Sequence, residues 1–96
     1  MKNTKKKQTP LPDLGTFLQQ ARIAKGFSQK EVSIKLGYES AQFISDWERG
    51  IRSPPGNKLK KLAQLYEVCA ERLIDIILNE RALILEKELR KDFFGT

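Results

Sequence analysis

The only side chains present here in chemically useful numbers are cations. The 96 residues hold 18 Lys and Arg against 12 Asp and Glu, a net charge of +6. They are unevenly placed. Residues 1–66 carry 13 of the cations and five acids, a local +8, whereas residues 67–96 sum to −2. A basic body joined to a mildly acidic tail suits a polyanion on one side and a separate task on the other. The rest of the inventory is thin. There is no histidine, and Cys69 is the one cysteine. A zinc-type site and a Ser–His or Cys–His nucleophile are therefore unsupported, and no internal disulfide can form. A Gly-rich phosphate loop and a pair of carboxylates on a cleft are both missing, and so short a chain cannot wall a pocket around a substrate. The sequence predicts no enzyme, no cofactor and no metal. Cys69 reads either as a small buried hydrophobe or as a redox sensor.

The elements that position the cations follow from composition and pattern. Forty per cent hydrophobic and 31% charged residues are ordinary for one globular domain, which excludes a collagen, a coiled-coil rod and a fully disordered chain. Apolar stretches run to three or four residues, too short to span a membrane. Residues 1–9 are basic and polar with no apolar region behind them, unlike a secretory leader, so an intracellular protein is expected. Residues 1–10, with Lys2, Lys5, Lys6 and Lys7, read as a disordered basic arm.

From Asp13, a candidate cap, Leu14, Phe17, Leu18, Ala21 and Ala24 recur at helical steps, and Gly26 stops the helix. Ser28-Gln29-Lys30-Glu31 spells a capping box for a second, short helix, with Val32, Ser33 and Leu36 inward and Gly37 at its end. Ser33 is small enough to admit another helix closely. Tyr38 and Glu39 form a turn, and Ser40 is a candidate cap for a third helix over Ala41–Arg49, closed by Gly50. Ile44 and Trp47 form its inner edge; Ala41, Gln42, Ser45 and Asp46 lie on other faces. Pro54-Pro55 fits the entrance of a fourth helix marked by Leu59, Leu62, Ala63 and Tyr66, and a fifth begins near Ala70. No strand pattern appears. The expected architecture is all-α: a five-helix domain over 11–78 and a helical extension over 79–96.

Short helices joined by a tight glycine turn describe a helix-turn-helix. The stretch from Leu14 to about Leu78 resembles the phage repressor/Cro-type (Xre) family. The resemblance rests on Arg22, Lys25-Gly26-Phe27-Ser28-Gln29, Leu36-Gly37, Ile44-Ser45, Trp47-Glu48-Arg49-Gly50, Pro54 and Leu62-Ala63. It implies that the third helix enters the major groove of double-stranded DNA, where base edges offer donors and acceptors. Gln42 is then the leading base reader, since an amide can pair bidentately with adenine. Ala41 could touch a thymine methyl, and Ser45 could bond a base or a phosphate. Asp46 could accept from a cytosine amino group or serve as a solvated cap partner. The resemblance puts Gln29 at a phosphate clamp in the first turn of helix two. Ser40, Arg49, Arg52, Lys58 and Lys61 are further phosphate candidates. It also implies that Arg22 and Glu48 form a partly buried ion pair with a structural role. Trp47, Ile44, Phe17 and Leu62 are core by spacing, and Phe43 either packs under Tyr38 or meets a thymine methyl.

Two departures stand out. The turn Gly37-Tyr38-Glu39-Ser40 is one residue longer than the usual family turn, which bears on which of Ala41, Gln42 and Ser45 point at bases. The second is the tail. Ile74, Leu78, Ala82, Leu85, Leu89 and Phe93 continue a helical stripe beyond the need of a five-helix core, with Ile77 beside it and a bend expected at Asn79 or Glu80. The stripe pairs with its twin in a homodimer, folds back on its own domain, or holds another protein. A twofold dimer has the advantage of reading two half-sites. The sequence therefore predicts a sequence-specific DNA-binding transcriptional regulator of a bacterial or phage-infected cytoplasm, acting as a homodimer without a membrane anchor. The alternative is a protein-interaction adaptor or antitoxin that uses the C-terminal helix, with weak or absent DNA binding. Steep salt dependence of DNA binding separates them.

Overall fold

The computed structural model describes residues 11–95, so the basic arm expected over 1–10 lies outside the described residues. Five helices follow one another: α1 Leu14–Ala24, α2 Gln29–Lys35, α3 Gln42–Glu48, α4 Gly56–Tyr66 and α5 Ala70–Phe94. No strand occurs among the described residues. The fold is the expected all-α one.

Local chemistry sets each boundary. The Asp13 carboxylate accepts the Thr16 N–H at 2.7 Å and opens α1. The capping box of α2 is complete: Ser28 Oγ accepts the Glu31 N–H at 3.0 Å, and Glu31 Oε1 accepts the Ser28 N–H at 2.8 Å. Helices α1, α2 and α3 end in the same way. A glycine just past the helix takes a left-handed backbone (Gly26, Gly37 and Gly50, φ +77° to +88°). The N–H after it returns to the last turn: Phe27 to Arg22 O, Tyr38 to Ser33 O and Ile51 to Asp46 O. α3 is one residue shorter at each end than expected, because Ala41 and Arg49 are its caps.

These short helices hold together through one core: Leu14, Leu18, Val32, Leu36, Ile44, Trp47, Leu62, Tyr66, Leu73 and Ile76, each at most 5% exposed. Burying each such side chain is worth about 1.5–3 kcal/mol, far more than short helices gain from propensity. Phe17 is half-buried against this core, as is Ile77. Ser33 is fully buried, its hydroxyl donating to Lys30 O at 2.7 Å. Cys69 corrects one expectation: it is exposed at the start of α5, not buried.

The tail corrects another. α5 runs 25 residues as one helix, with no break at Asn79 or Glu80. Glu80 instead reaches α1, where its Oε2 accepts the Leu14 N–H at 2.7 Å. From Arg81 onward every described residue is exposed; Leu83 and Ile84 still border a hollow beside the start of α1, and α5 runs on beyond them. The radius of gyration, 15.8 Å, reflects this, since a compact chain of this length would give about 12 Å.

One close approach fixes how α1 meets α3. Gly15 is buried, and a Cβ there would meet Glu48 C and Trp47 O at 2.9 Å, both backbone atoms. Replacing glycine by alanine inside a helix ordinarily gains about 1 kcal/mol. Here the backbone of α3 must shift, so Gly15→Ala is expected to lower the melting temperature; thermal unfolding followed by circular dichroism checks it.

Candidate nucleic-acid interface

The short α3 has its two sides held differently. Ile44 and Trp47 are sunk in the core, 1% and 3% exposed. At its end, Glu48 is gripped from two helices. Arg22 of α1 donates Nε to Glu48 Oε2 at 2.6 Å and Nη2 to Oε1 at 3.1 Å, and its Nη1 donates to Phe27 O at 2.8 Å. Gln29 of α2 donates Nε2 to the same Oε1 at 2.8 Å. The Glu48 side chain is 2% exposed and Arg22 is 12% exposed. The hydrogen bond to Glu48 holds the Arg22 guanidinium above its usual pKa, against the desolvation that lowers it. Nearby, burial pushes the Tyr66 phenol well above its ordinary range, reinforced by the Glu48 charge. Gln29, expected at a phosphate, thus has its amide nitrogen directed inward at the start of α2.

The other side of α3 faces outward. Gln42 is exposed, and Ala41 and Ser45 are half-buried. Ser40 Oγ accepts the Gln42 N–H at 3.2 Å, a turn-type bond just ahead of the helix. Asp46 is buried, 8% exposed, and its carboxylate is already engaged. Oδ1 accepts Gln42 Nε2 at 2.8 Å and Arg49 Nη2 at 3.3 Å, and Oδ2 lies 3.5 Å from Arg52 Nε. Asp46 is therefore neither a solvated cap partner nor an outward-pointing acceptor: its own chain surrounds it. The Arg49 and Arg52 side chains remain 59% and 64% exposed.

The turn between α2 and α3 is built on aromatics. Tyr38 stacks on Phe43 at 4.5 Å between centroids and meets the edge of Trp47 at 5.8 Å. Phe43 is nonetheless 41% exposed. Lys58 of α4 donates Nζ to Leu36 O at 2.9 Å and lies 5.0 Å from the Tyr38 ring centroid. Its ammonium thus caps the C-terminus of α2, a contact the spacing of lysines did not suggest. Lys61 is exposed on α4 and lines a shallow hollow with Lys35.

Along the tail the expected partner positions divide. Ile77 packs on the body's own core. Ile74, Leu78, Leu85, Leu89 and Phe93 are 44–79% exposed. No helix of the described residues is long and apolar enough to cross a membrane, and no cluster of metal-ligating residues occurs among them.

A family model described as helix-turn-helix matches residues 18–73, more than half of the chain. The chain belongs to the helix-turn-helix family. A relative, the HTH-type transcriptional regulator ImmR of Bacillus subtilis (strain 168), is 38% identical over 61 residues. The alignment covers 64% of this chain and 47% of the relative, so the chain spans about half the length of the curated relative it matches. The helix-turn-helix match stops four residues into α5, and the exposed extension lies beyond it.

Within this helix-turn-helix the Glu48 cluster is the joint between α1, α2 and α3. Removing one partner of a buried pair strands the other charge at a cost of about 3–5 kcal/mol. Glu48→Ala is expected to lose stability on that scale, while exposed Glu39→Ala changes it by less than about 0.5 kcal/mol. Urea unfolding of both variants checks the contrast.

Proposed function

We propose that this helix-turn-helix protein is a sequence-specific, double-stranded-DNA-binding transcriptional regulator that acts as a homodimer in the cytoplasm of a bacterial or phage-infected cell. The observation that carries the reading is the two-sided anchoring of α3. Its inner edge is locked by Ile44, Trp47 and Glu48, while Gln42 and Ser45 stand on its outside and the exposed Arg49 and Arg52 follow its end. A rigid helix with an amide and a hydroxyl outward, followed by two exposed guanidiniums, suits a groove with base edges inside and phosphates at its lips. The relative's description as a transcriptional regulator supports the same direction.

In this reading Gln42 pairs with a base, Ala41 meets a thymine methyl and Ser45 bonds a base or phosphate. Asp46 works at one remove. A carboxylate only accepts, so it fixes which end of the Gln42 amide is turned inward and leaves Oε1 for the base. Arg49 and Arg52 bind phosphates, joined by Gln29, Ser40, Lys58 and Lys61 around the same body, and the 1–10 arm adds backbone contacts. The body over 11–78 is the reading unit. The extension over 79–96 supplies the dimer contact, because its exposed Leu85, Leu89 and Phe93 have no partner on the described body.

Selection from a randomised duplex pool at moderate salt tests the reading. A palindromic enriched site is expected, with affinity falling steeply as salt rises; no retention at moderate salt sinks it in favour of a protein-interaction adaptor. Gln42→Ala should relax preference at one base position per half-site, a loss of about 1–3 kcal/mol of discrimination. Asp46→Ala should blur that same position while leaving non-specific affinity equal or higher, since an acid near the phosphates is gone. Repeating the selection with each variant reads both effects.

A further inference from the structure

The apolar stripe on α5 has an internal symmetry. Its members are Ile74, Leu78, Ala82, Leu85, Leu89 and Phe93, separated by 4, 4, 3, 4 and 4 residues. The spacing reads the same in both directions about a midpoint between Leu83 and Ile84. It also repeats after 11 residues, so Ile74, Leu78 and Ala82 recur as Leu85, Leu89 and Phe93. An 11-residue repeat keeps such a stripe on one face of a nearly straight helix. The members other than Ala82 are 44–79% exposed large hydrophobics, and Ala82 is exposed too. Leu83 and Ile84 are not part of this face: they line a hollow with Leu14 and the start of α1.

Resting on the homodimer reading above, we infer that the partner of this stripe is α5 of a second copy, lying antiparallel, with Ile74 opposite Phe93, Leu78 opposite Leu89 and Ala82 opposite Leu85. Each layer is then apolar on apolar, and the small Ala82 faces a large residue. A parallel pair would stack Ala82 on Ala82 and leave a gap. The flanking charges favour the same register. Arg81 lies on one edge of the stripe and faces Glu88 of the second copy. Within one helix Arg81 and Glu88 are two turns and about 10 Å of rise apart, too far to pair, and neither has an ion-pair partner among the described residues. Glu86, the residue a parallel pair would offer Arg81, is held by Arg90 of its own helix at 3.0 Å. Residues 79–96 carry four bases and four acids, so two net +6 chains meet along a neutral segment. The antiparallel arrangement also keeps the two +8 stretches at opposite ends of the pair.

Charge reversal in the full chain tests this without DNA. Sedimentation equilibrium is run on the wild type, Arg81→Glu, Glu88→Arg, their equimolar mixture and the double variant, with circular dichroism establishing that each is folded. The expected result is a wild-type dimer and two single variants whose dissociation constants rise about tenfold. The mixture and the double variant should return to wild-type affinity, because opposite charges face each other again. Rescue of Arg81→Glu by Glu86→Arg instead of Glu88→Arg would overturn the antiparallel register in favour of a parallel pair. Single variants that associate as tightly as the wild type would overturn it as well. A wild-type monomer at tens of micromolar would overturn the inference and the homodimer reading together, and the duplex selection would then tell separately whether DNA reading survives.

Discussion

The carboxylate of Glu48 is the joint on which the arrangement depends. It sits at the end of a seven-residue helix that cannot be stable alone. Arg22 approaches it from α1 and Gln29 from α2, so three helices with few residues each are tied at one buried point. The tie is directional. The guanidinium offers two parallel donors to the carboxylate and a third to Phe27 O, which sets rotation as well as distance. Hydrophobic packing of Ile44 and Trp47 supplies the larger share of energy, but it is tolerant of small rotations of α3 in a way this fork is not.

Beside it lies Asp46, two residues earlier and of the same chemistry, with a different use. Glu48 points in and joins helices; Asp46 sits nearer the surface and gathers side chains of its own segment, Gln42, Arg49 and Arg52. Two carboxylates on a helix proposed to meet a polyanion look costly. Each is neutralised by cations or amides of its own chain, so neither presents an open negative charge outward. The acids order the groups that do face outward.

Much of this was legible in the residues. The capping box, the three glycine stops and the 3–4 spacing set α1, α2 and α3 to within a residue, because these signals are local. Trp47 and Ile44 as core, and an Arg22–Glu48 contact implied by the family resemblance, are where they were expected. What could not be read was contact between distant segments. Nothing near Gly15 in the chain says that α3's backbone passes against it. Lys58 looks like one cation among several until α4 brings it to Leu36 O. Asp46 looked outward because the exposed face of a helix was inferred from Ile44 and Trp47 alone, while its engagement by Gln42, Arg49 and Arg52 depends on rotamers. The buried alternative for Cys69 fails for a related reason: a small apolar residue at a helix start is buried only if something covers it, and nothing on the described body does.

Glu80 redraws the border between body and extension. The first N–H of α1 finds its acceptor 66 residues away, on the last turn of α5 before the helix leaves the body. A shortened chain that stopped at Leu78, where the reading unit was expected to end, would keep the Asp13 cap but leave the Leu14 N–H, in the helix that carries both Gly15 and Arg22, without its acceptor. The body's first helix thus draws one of its N-terminal contacts from Glu80, and the tail is spliced into that helix instead of being appended to the body's last.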